Sequence, residues 1–235
     1  MNIYGDRGNI LTLLKRAEWR GFEPKLLELG RGSSKQMDEV DIFFFGGGQD
    51  REQALVYEDL LEFKQLPLEE AVAGGAVILA VCGGYQLLGK YYQTASGERF
   101  PGIGMLDVWT EAGKKRFIGD VVVEADIETL MPKTLVGFEN HSGRTFLGSK
   151  ARPLGRVRLG HGNNGSDKME GVQQKTVVGT YMHGSLLPKN PHLADYLIRN
   201  ALIRRGVGEL SPLDDSIELD AHERILQRAQ HHLHL

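Results

Sequence analysis

Apolar positions in the first half of the chain follow strand and helix periods in turn. Compact apolar runs predict three strands, at residues 25–29, 41–45 and 76–81. Helices are predicted before and between them, over residues 9–20, 52–63 and 68–73. This alternation favours a three-layer α/β fold of the flavodoxin-like kind, a mostly parallel sheet with helices on both faces.

The second half of the chain is richer in strand patterns. Strands are predicted at residues 119–124, 135–139, 154–159 and 176–181, and helices at residues 192–204 and 219–230. The polar and glycine-rich residues 160–166 predict a flexible hairpin tip. No long linker divides the chain, so we expect one domain over residues 1–205, with residues 206–235 as a C-terminal helix and tail of that domain.

Composition narrows the possible functions. The chain has 235 residues, and its 28 basic and 31 acidic side chains give a net charge of -3, which provides no basic field for nucleic acid. No stretch of apolar residues is long enough to insert into a membrane. A single cysteine cannot form an internal disulfide, which predicts a cytoplasmic protein. The histidines of the last five residues are interpreted as a disordered end, and no metal site is predicted.

That single cysteine, Cys82, occupies a position where a thiol can be made reactive. It follows the apolar run at residues 76–81 and precedes Gly83, Gly84 and the start of a predicted helix. A strand, a reactive residue, small residues and a helix form a nucleophile elbow. The side chain then stands clear of the sheet, and the following N–H groups face a site where an oxyanion could form.

A histidine is placed where it could activate this thiol. His183 follows the apolar run at residues 177–182, and the carboxyl ends of parallel strands line the ligand crevice of open α/β sheets. A free thiol with a pKa of about 8.5 is only slightly ionised at neutral pH, and a neighbouring histidine is the usual means of activating it. Cys82 and His183 are therefore the predicted catalytic pair.

Three segments together resemble the class I, triad-type glutamine amidotransferases. They are the elbow at residues 81–89, the triple-glycine loop at residues 45–50 and the segment at residues 179–184. The branch they resemble is that of cobyric acid synthase. Within it, residues 4–9, 48–53 and 137–145 resemble the stand-alone glutaminase subunits of lipid II isoglutaminyl synthases.

The resemblance implies an activity and a role for each matched residue. Cys82 would attack the side-chain amide of L-glutamine, with His183 as acid and base, releasing ammonia from a thioester. The implied oxyanion hole consists of the backbone N–H of Gly83 and one from the segment of Gly47 and Gly48. Substrate-binding roles are implied for Gln86, Arg116 and Tyr181. For Arg116 a solvated charge in a basic run is an equal alternative, and residues 139–141 could line the site or form a structural hairpin.

The third member of the triad is left open by the sequence. Most class I amidotransferases carry an acid two residues after the catalytic histidine, where this chain has Ser185. Asp6 is one candidate, since it lies in an early loop. An acid supplied by a partner subunit is the favoured hypothesis, because it would silence the glutaminase until the complex forms.

Ammonia needs an activated acceptor, and this chain offers no means of activating one. Residues 84–91 match a phosphate-loop pattern but have Tyr91 where Ser or Thr should hold magnesium, and their bulky middle belongs in a helix. No cofactor is therefore expected in this chain. By the resemblance, ATP and magnesium belong to a Mur-ligase-type partner in a heterodimer, which would amidate the α-carboxylate of D-glutamate in the peptidoglycan stem peptide.

Three other functions remain open at this point. Amidation of cobyric or cobyrinic acid is one, although those synthases usually carry a P-loop domain on the same chain. A cysteine hydrolase or glyoxalase on a similar fold is another, and it would pair Cys82 with an early buried acid. The last is a catalytically silent binding module that has kept the fold.

Overall fold

The computed structural model of the chain describes residues 6–47 and 56–233, and the side chains up to residue 229. Five α-helices are named here in chain order: α1 (Arg7–Glu18), α2 (Gln65–Ala73), α3 (Gly83–Leu88), α4 (Pro191–Ile203) and α5 (Ser216–Leu233). A π-helical turn, Leu60–Lys64, leads into α2, and two 3-10 turns lie at Met37–Glu39 and Leu187–Lys189. The predicted helix at residues 52–63 is confirmed from residue 56 onward, since residues 48–55 lie outside the described part.

The strands form two sheets. The first contains β1 (Ile42–Phe45), β2 (Val77–Val81), β9 (Val172–Gln174) and β10 (Val177–Thr180) in the order β1-β2-β10-β9. β1, β2 and β10 are parallel, whereas β9 is antiparallel to β10. The predicted α/β class with parallel strands is therefore confirmed.

The central strand β2 explains why helices cover both faces of this sheet. All five of its residues are buried, and side chains of a strand point alternately to opposite faces. Val77, Leu79 and Val81 pack in one core with α1 and α4. Ile78 and Ala80 pack in a second core with α2. Burial stabilises each large aliphatic side chain by about 1.5–3 kcal/mol.

The second sheet is largely antiparallel and has seven strands among the described residues. Its strands are β3 (Tyr91–Gln93), β4 (Arg99–Pro101), β5 (Val108–Ala125), β6 (Thr134–Leu147), β7 (Gly155–Leu159), β8 (Met169–Glu170) and β11 (Met182–His183). The long strands β5 and β6 pair directly, with a shift of register between Ala112 and Phe117, and β11 pairs with β6. The strands predicted at 119–124 and 135–139 are thus confirmed as parts of longer ones.

Two local predictions differ from the structure. The strand predicted at residues 25–29 is wrong: this segment is irregular and exposed. An apolar run becomes a strand only where a neighbour pairs with it, and among the described residues β1 is the edge of its sheet. Residues 160–166 do connect the paired strands β7 and β8, but Asn163 and Asn164 are buried, so the segment is no exposed tip.

Helix α5 packs against the outer side of the second sheet. Ala229 is buried with Val122 and Val136, and the ring of His222 lies between the Thr134 hydroxyl and the Lys189 carbonyl. An ion pair of 2.7 Å joins Arg228 to Asp120. The assignment of residues 1–205 and 206–235 to a single domain stays a prediction. Among the helices described, none has the length and apolar content needed to cross a bilayer.

Candidate active site

Cys82 lies in a strained turn between β2 and α3, as the sequence predicts. Its backbone has φ +52° and ψ -108°, a conformation that non-glycine residues rarely adopt and that costs about 1–3 kcal/mol. Its N–H donates to the Thr180 carbonyl at 2.9 Å, which fixes the turn to the neighbouring strand β10. A Cβ on Gly84 would lie 2.6 Å from the Cβ of Phe45, so only glycine permits this close approach.

His183 approaches the elbow from the second sheet. The parallel strand β10 ends at Thr180, and the chain bends at Tyr181 into β11, where His183 pairs with Phe138 of β6. The imidazole is buried, with 1% of the side chain exposed. The histidine therefore stands where the two sheets meet, beside the end of β2.

Asp6 is the acid that the structure brings to this histidine. It is fully buried at the N-terminus of α1, and its Oδ1 lies 3.9 Å from the Nδ1 of His183. An aspartate at this position normally caps the helix by accepting N–H groups of the first turn. Here it makes no cap hydrogen bond, and its Oδ2 accepts the N–H of Gly47 at 2.6 Å. The carboxylate is thus directed at Gly47 and His183 and not at the backbone of its own helix.

This contact bears on the predicted oxyanion hole, which stays a prediction. The N–H of Gly47 is engaged by Asp6 and is not directed at an oxyanion in this structure. Gly48 lies outside the described residues, and Gly83 begins α3 directly after the nucleophile. Gly47 lies close to all three side chains, because a Cβ there would lie 3.2 Å from His183, 3.5 Å from Asp6 and 3.7 Å from Cys82. The three side chains therefore border one small space.

The first turn of α1 also holds the chain that follows His183. A Cβ on Gly8 would come within 2.3 Å of the Ser185 hydroxyl, so this turn packs directly on the segment. The side-chain oxygen of Asn9 accepts the N–H of Leu187 at 2.9 Å. Ser185, two residues after His183, has φ +54°. The sequence pattern gave no sign of this contact, because it joins residues more than 170 positions apart.

The electrostatics favour a charged histidine. Burial lowers the pKa of His183, but the favourable interactions of its charged form with Asp6 and Cys82 outweigh burial and raise the pKa to about 9. His183 is therefore protonated at neutral pH. A protonated imidazole beside a cysteine stabilises the thiolate form, which is the nucleophilic one.

Two of the predicted substrate-binding residues lie together, and the third lies apart. The Nε2 of Gln86 donates to the Tyr181 hydroxyl at 3.0 Å, and that hydroxyl also bonds to Thr145 at 2.6 Å. Burial raises the pKa of Tyr181, which keeps it neutral. Arg116 is exposed in the shifted part of β5, and its Nη1 donates to the Oδ1 of Asn140 at 2.7 Å.

His141, for which the sequence left a role in the site or in a structural hairpin open, packs against Tyr181. Its ring stacks on Tyr181 with centroids 3.7 Å apart, and the charge of His183 acts on it. Glu139, two residues earlier, serves the structure: its carboxylate accepts the N–H groups of His161 and Gly162 and so anchors the loop at residues 160–166.

Glu170 is a buried acid that sequence reasoning missed. Its Oε1 accepts the Thr180 hydroxyl at 2.6 Å and the Tyr181 N–H at 2.7 Å, which fixes the bend between β10 and β11. Burial raises its pKa to about 7, against the lowering effect of these hydrogen bonds. No pattern around it could have revealed it, since a glutamate in a polar loop usually lies in solvent.

The arrangement suits acyl transfer through a covalent thioester. It combines a thiol on a strained turn, a protonated imidazole and a buried carboxylate, with the N-terminus of α3 directly behind the thiol. Within the described ranges, no group of three or more histidine, cysteine, aspartate or glutamate side chains could hold a metal ion.

Comparison with known proteins identifies relatives over nearly the whole chain. A family model described as the CobB/CobQ-like glutamine amidotransferase domain matches residues 1–191. A protein of Staphylococcus aureus named lipid II isoglutaminyl synthase (glutamine-hydrolyzing) subunit GatD is 44% identical over 230 residues, which are 97% of this chain and 92% of that protein. The protein of the same name from Streptococcus pneumoniae is 41% identical, over 97% of this chain and 84% of its own length.

More distant proteins share part of the sequence or only the fold. A probable cobyric acid synthase of Methanothermobacter thermautotrophicus is 30% identical over 82% of this chain, but over only 38% of its own length. A crystal structure described as a glutamine amidotransferase superposes with a TM-score of 0.55 at 20% identity, over 84% of this chain and 94% of that one. This last likeness confirms the predicted fold.

Proposed function

Since the chain belongs to the CobB/CobQ-like family of glutamine amidotransferases, we propose that it is the glutamine-hydrolysing subunit of a lipid II isoglutaminyl synthase. The observation that carries the proposal is Cys82 at φ +52° on its elbow, with His183 and Asp6 bordering the same space. The identity of 44% to a relative of that name, over 97% of this chain, supports the assignment.

The first half-reaction forms a thioester. The thiolate of Cys82 attacks the side-chain amide carbon of L-glutamine, and the carbonyl electrons move onto the oxygen. His183, protonated because its pKa is raised to about 9, gives its proton to the amide nitrogen. The C–N bond then breaks, ammonia leaves and a γ-glutamyl thioester remains on Cys82.

The second half-reaction returns the enzyme to its starting state. His183, now neutral, takes a proton from a water molecule, whose oxygen adds to the thioester carbon. The C–S bond breaks, glutamate leaves, and the thiolate and the imidazolium are restored. We assign the oxyanion to the N–H of Gly83 and, as a second donor, to Gly48, and one such donor contributes about 3–4 kcal/mol to the transition state.

We assign the third position of the triad to Asp6 rather than to an acid of a partner subunit. Its burial and its 3.9 Å distance from His183 support this choice. A carboxylate at this place orients the imidazole and stabilises its charged form. Substrate binding is assigned to Gln86 and to Arg116, whose guanidinium suits the carboxylate of glutamine. Tyr181 positions Gln86 through its hydroxyl.

The ammonia acceptor and its activation are assigned to another chain. We propose a Mur-ligase-type partner in a cytoplasmic heterodimer, which holds ATP and magnesium and amidates the α-carboxylate of D-glutamate in the stem peptide of lipid II. The chain itself needs no cofactor for the chemistry above. Its only match to a phosphate loop supports this division, because Gly83–Leu88 form the helix α3 and not an open loop.

The test is ammonia release from L-glutamine by the chain alone and with the ligase subunit of the same organism. We expect release that the partner increases and that Cys82→Ala reduces to background with an unchanged melting temperature. With ATP and a stem peptide whose D-glutamate has only its α-carboxylate free, we expect a peptide amide by mass spectrometry. Amidation of a corrinoid carboxylate instead would assign the chain to cobyric acid synthesis. No Cys82-dependent release would leave a silent binding module.

A further inference from the structure

One ring nitrogen of His141 has no hydrogen-bond partner among the residues that the structure describes. Its Nδ1 lies 2.9 Å from the carbonyl oxygen of Gly143. A carbonyl only accepts hydrogen bonds, so Nδ1 carries the proton and Nε2 of the neutral ring is an acceptor. The side chain is 2% exposed, and no group in the described part of the chain donates to Nε2. An unsatisfied buried acceptor costs about 1–3 kcal/mol, so a bound ligand is expected to satisfy it.

The surroundings of this ring keep it neutral. Burial lowers the pKa of His141 to about 3, against the raising effect of the hydrogen bond to Gly143, and the charges of Arg144, His183 and Arg116 lower it further. His141 therefore cannot act as an acid near neutral pH. It can only accept a hydrogen bond through Nε2.

The same surroundings connect His141 with residues of the proposed substrate site. One face of its ring stacks on Tyr181, and the edge of Phe117 packs on it with a centroid distance of 5.6 Å. The Tyr181 hydroxyl holds Gln86, one helical turn beyond Cys82. Of the three cations that act on His141, His183 belongs to the catalytic pair and Arg116 to the proposed carboxylate site. The ring thus contacts Tyr181, and the charges of groups assigned to both ends of a glutamine molecule act on it.

We propose that the Nε2 of His141 accepts an N–H of the glutamine side-chain amide and thereby selects the amide over an ester. This inference rests on the proposed function and deepens it. Holding one N–H directs the lone pair, which forms as the amide nitrogen becomes tetrahedral, toward the proton of His183. An ester oxygen has no N–H, so it leaves Nε2 unsatisfied.

The experiment compares L-glutamine with the γ-methyl ester of L-glutamate, using the chain with its ligase partner. In His141→Asn, the shorter side chain can still donate to the Gly143 carbonyl but lacks an acceptor at the place of Nε2. We expect kcat/KM for glutamine to fall about tenfold, as one hydrogen bond is lost, with hydrolysis of the ester unchanged within twofold. His141→Phe, which keeps a ring against Tyr181, should change the amide-to-ester ratio by the same factor.

A third measurement separates a local effect from damage to the site. A diazoketone analogue of glutamine alkylates Cys82 without an amide N–H, so its rate should be the same in His141→Asn and in the unaltered chain. An equal loss for amide, ester and alkylation would show that His141 only supports the structure, and an unchanged ratio would also overturn the inference. If the unaltered chain hydrolyses neither substrate through Cys82, the proposed function fails, and the inference fails with it.

Discussion

The two ends of helix α1 each hold a buried carboxylate contact, and the contacts differ in kind. At Arg16, near the C-terminal end, all three guanidinium nitrogens reach carboxylate oxygens of Asp195 and Asp215 at 2.6–3.0 Å. At Asp6, at the N-terminal end, one oxygen accepts the Gly47 N–H and the other stands 3.9 Å from His183.

The difference separates a structural clamp from a site of chemistry. Hydrogen bonds at every nitrogen raise the pKa of Arg16 against the lowering effect of burial, so this cluster has one charge state and one geometry. The Asp6 cluster contains a cysteine and an imidazole, and in the proposed reaction the imidazole gives up a proton and regains one. Its looser contact leaves room for the small shifts that such an exchange requires, since catalytic hydrogen bonds often tighten only when substrate is bound.

The first prediction breaks the catalytic end of the comparison. Asp6→Asn keeps an oxygen for the Gly47 N–H but removes the charge beside His183. We expect glutaminase activity with the partner present to fall about 10³–10⁴-fold, as for loss of a triad carboxylate. The pKa of His183 should also fall, as measured by the pH dependence of Cys82 alkylation.

The matched control is Asp126→Asn, on an exposed aspartate, which should leave both quantities unchanged. A loss of less than about threefold in Asp6→Asn would instead assign the third triad position to the partner subunit.

The second prediction breaks the structural end. Arg16→Met leaves Asp195 and Asp215 without their cation, although Arg20 still reaches Asp195 at 2.6 Å. We expect the free energy of unfolding to fall by about 3–5 kcal/mol, measured by urea denaturation. The kcat/KM of the folded protein should stay within twofold. Arg158→Met, which breaks an exposed pair with Glu124, should cost less than about 1 kcal/mol. Activity lost without stability would contradict this division between the two ends.

The third prediction concerns Glu170, a buried carboxyl that is hydrogen-bonded like the Arg16 cluster but can change its charge like the Asp6 cluster. Its pKa is raised from 4.5 to about 7, so between these values the folded state holds a proton that the unfolded chain has released. The stability of the unaltered chain should therefore fall as pH rises through this range, by about 3 kcal/mol from this group alone. Glu170→Gln, which resembles the neutral form, should lose this dependence.

The measurement for Glu170 is urea denaturation of both chains at pH 4.5 and pH 8. Other groups titrate in both proteins, so the informative quantity is the difference in unfolding free energy between them. That difference should favour the variant more strongly at the higher pH. A difference that is the same at both values would show that Glu170 is ionised in the folded protein.

Sequence reasoning succeeded where the cause of a structure is local. The elbow of Cys82 follows from a buried apolar run and two glycines within nine residues. It failed where the cause is distant. The apolar run at residues 25–29 lacks a neighbouring strand, and no local pattern could show this.

The candidate site shows the same limit. Cys82 and His183 could be found because each follows an apolar run in the sequence, and the structure places both beside Gly47. The choice between Asp6 and a partner's acid depends on how α1 packs against the chain near His183. The sequence does not reveal this packing, because the two segments are far apart in it. Asn163 was expected in a flexible tip, yet its side chain is buried and donates to the Gly171 carbonyl at 2.9 Å. An asparagine in a polar, glycine-rich segment looks the same in the sequence whether it is exposed at a loop tip or buried with its side chain hydrogen-bonded.

The contact between the first turn of α1 and the segment after His183 has a consequence for protein synthesis. A chain made from its N-terminus contains Asp6 and Cys82 long before it contains His183, and the Asn9 contact waits for Leu187. A thiol without its imidazole stays mostly protonated near neutral pH. The nascent chain therefore carries Cys82 without its activating imidazole, and the proposed chemistry can begin only after His183 has been translated.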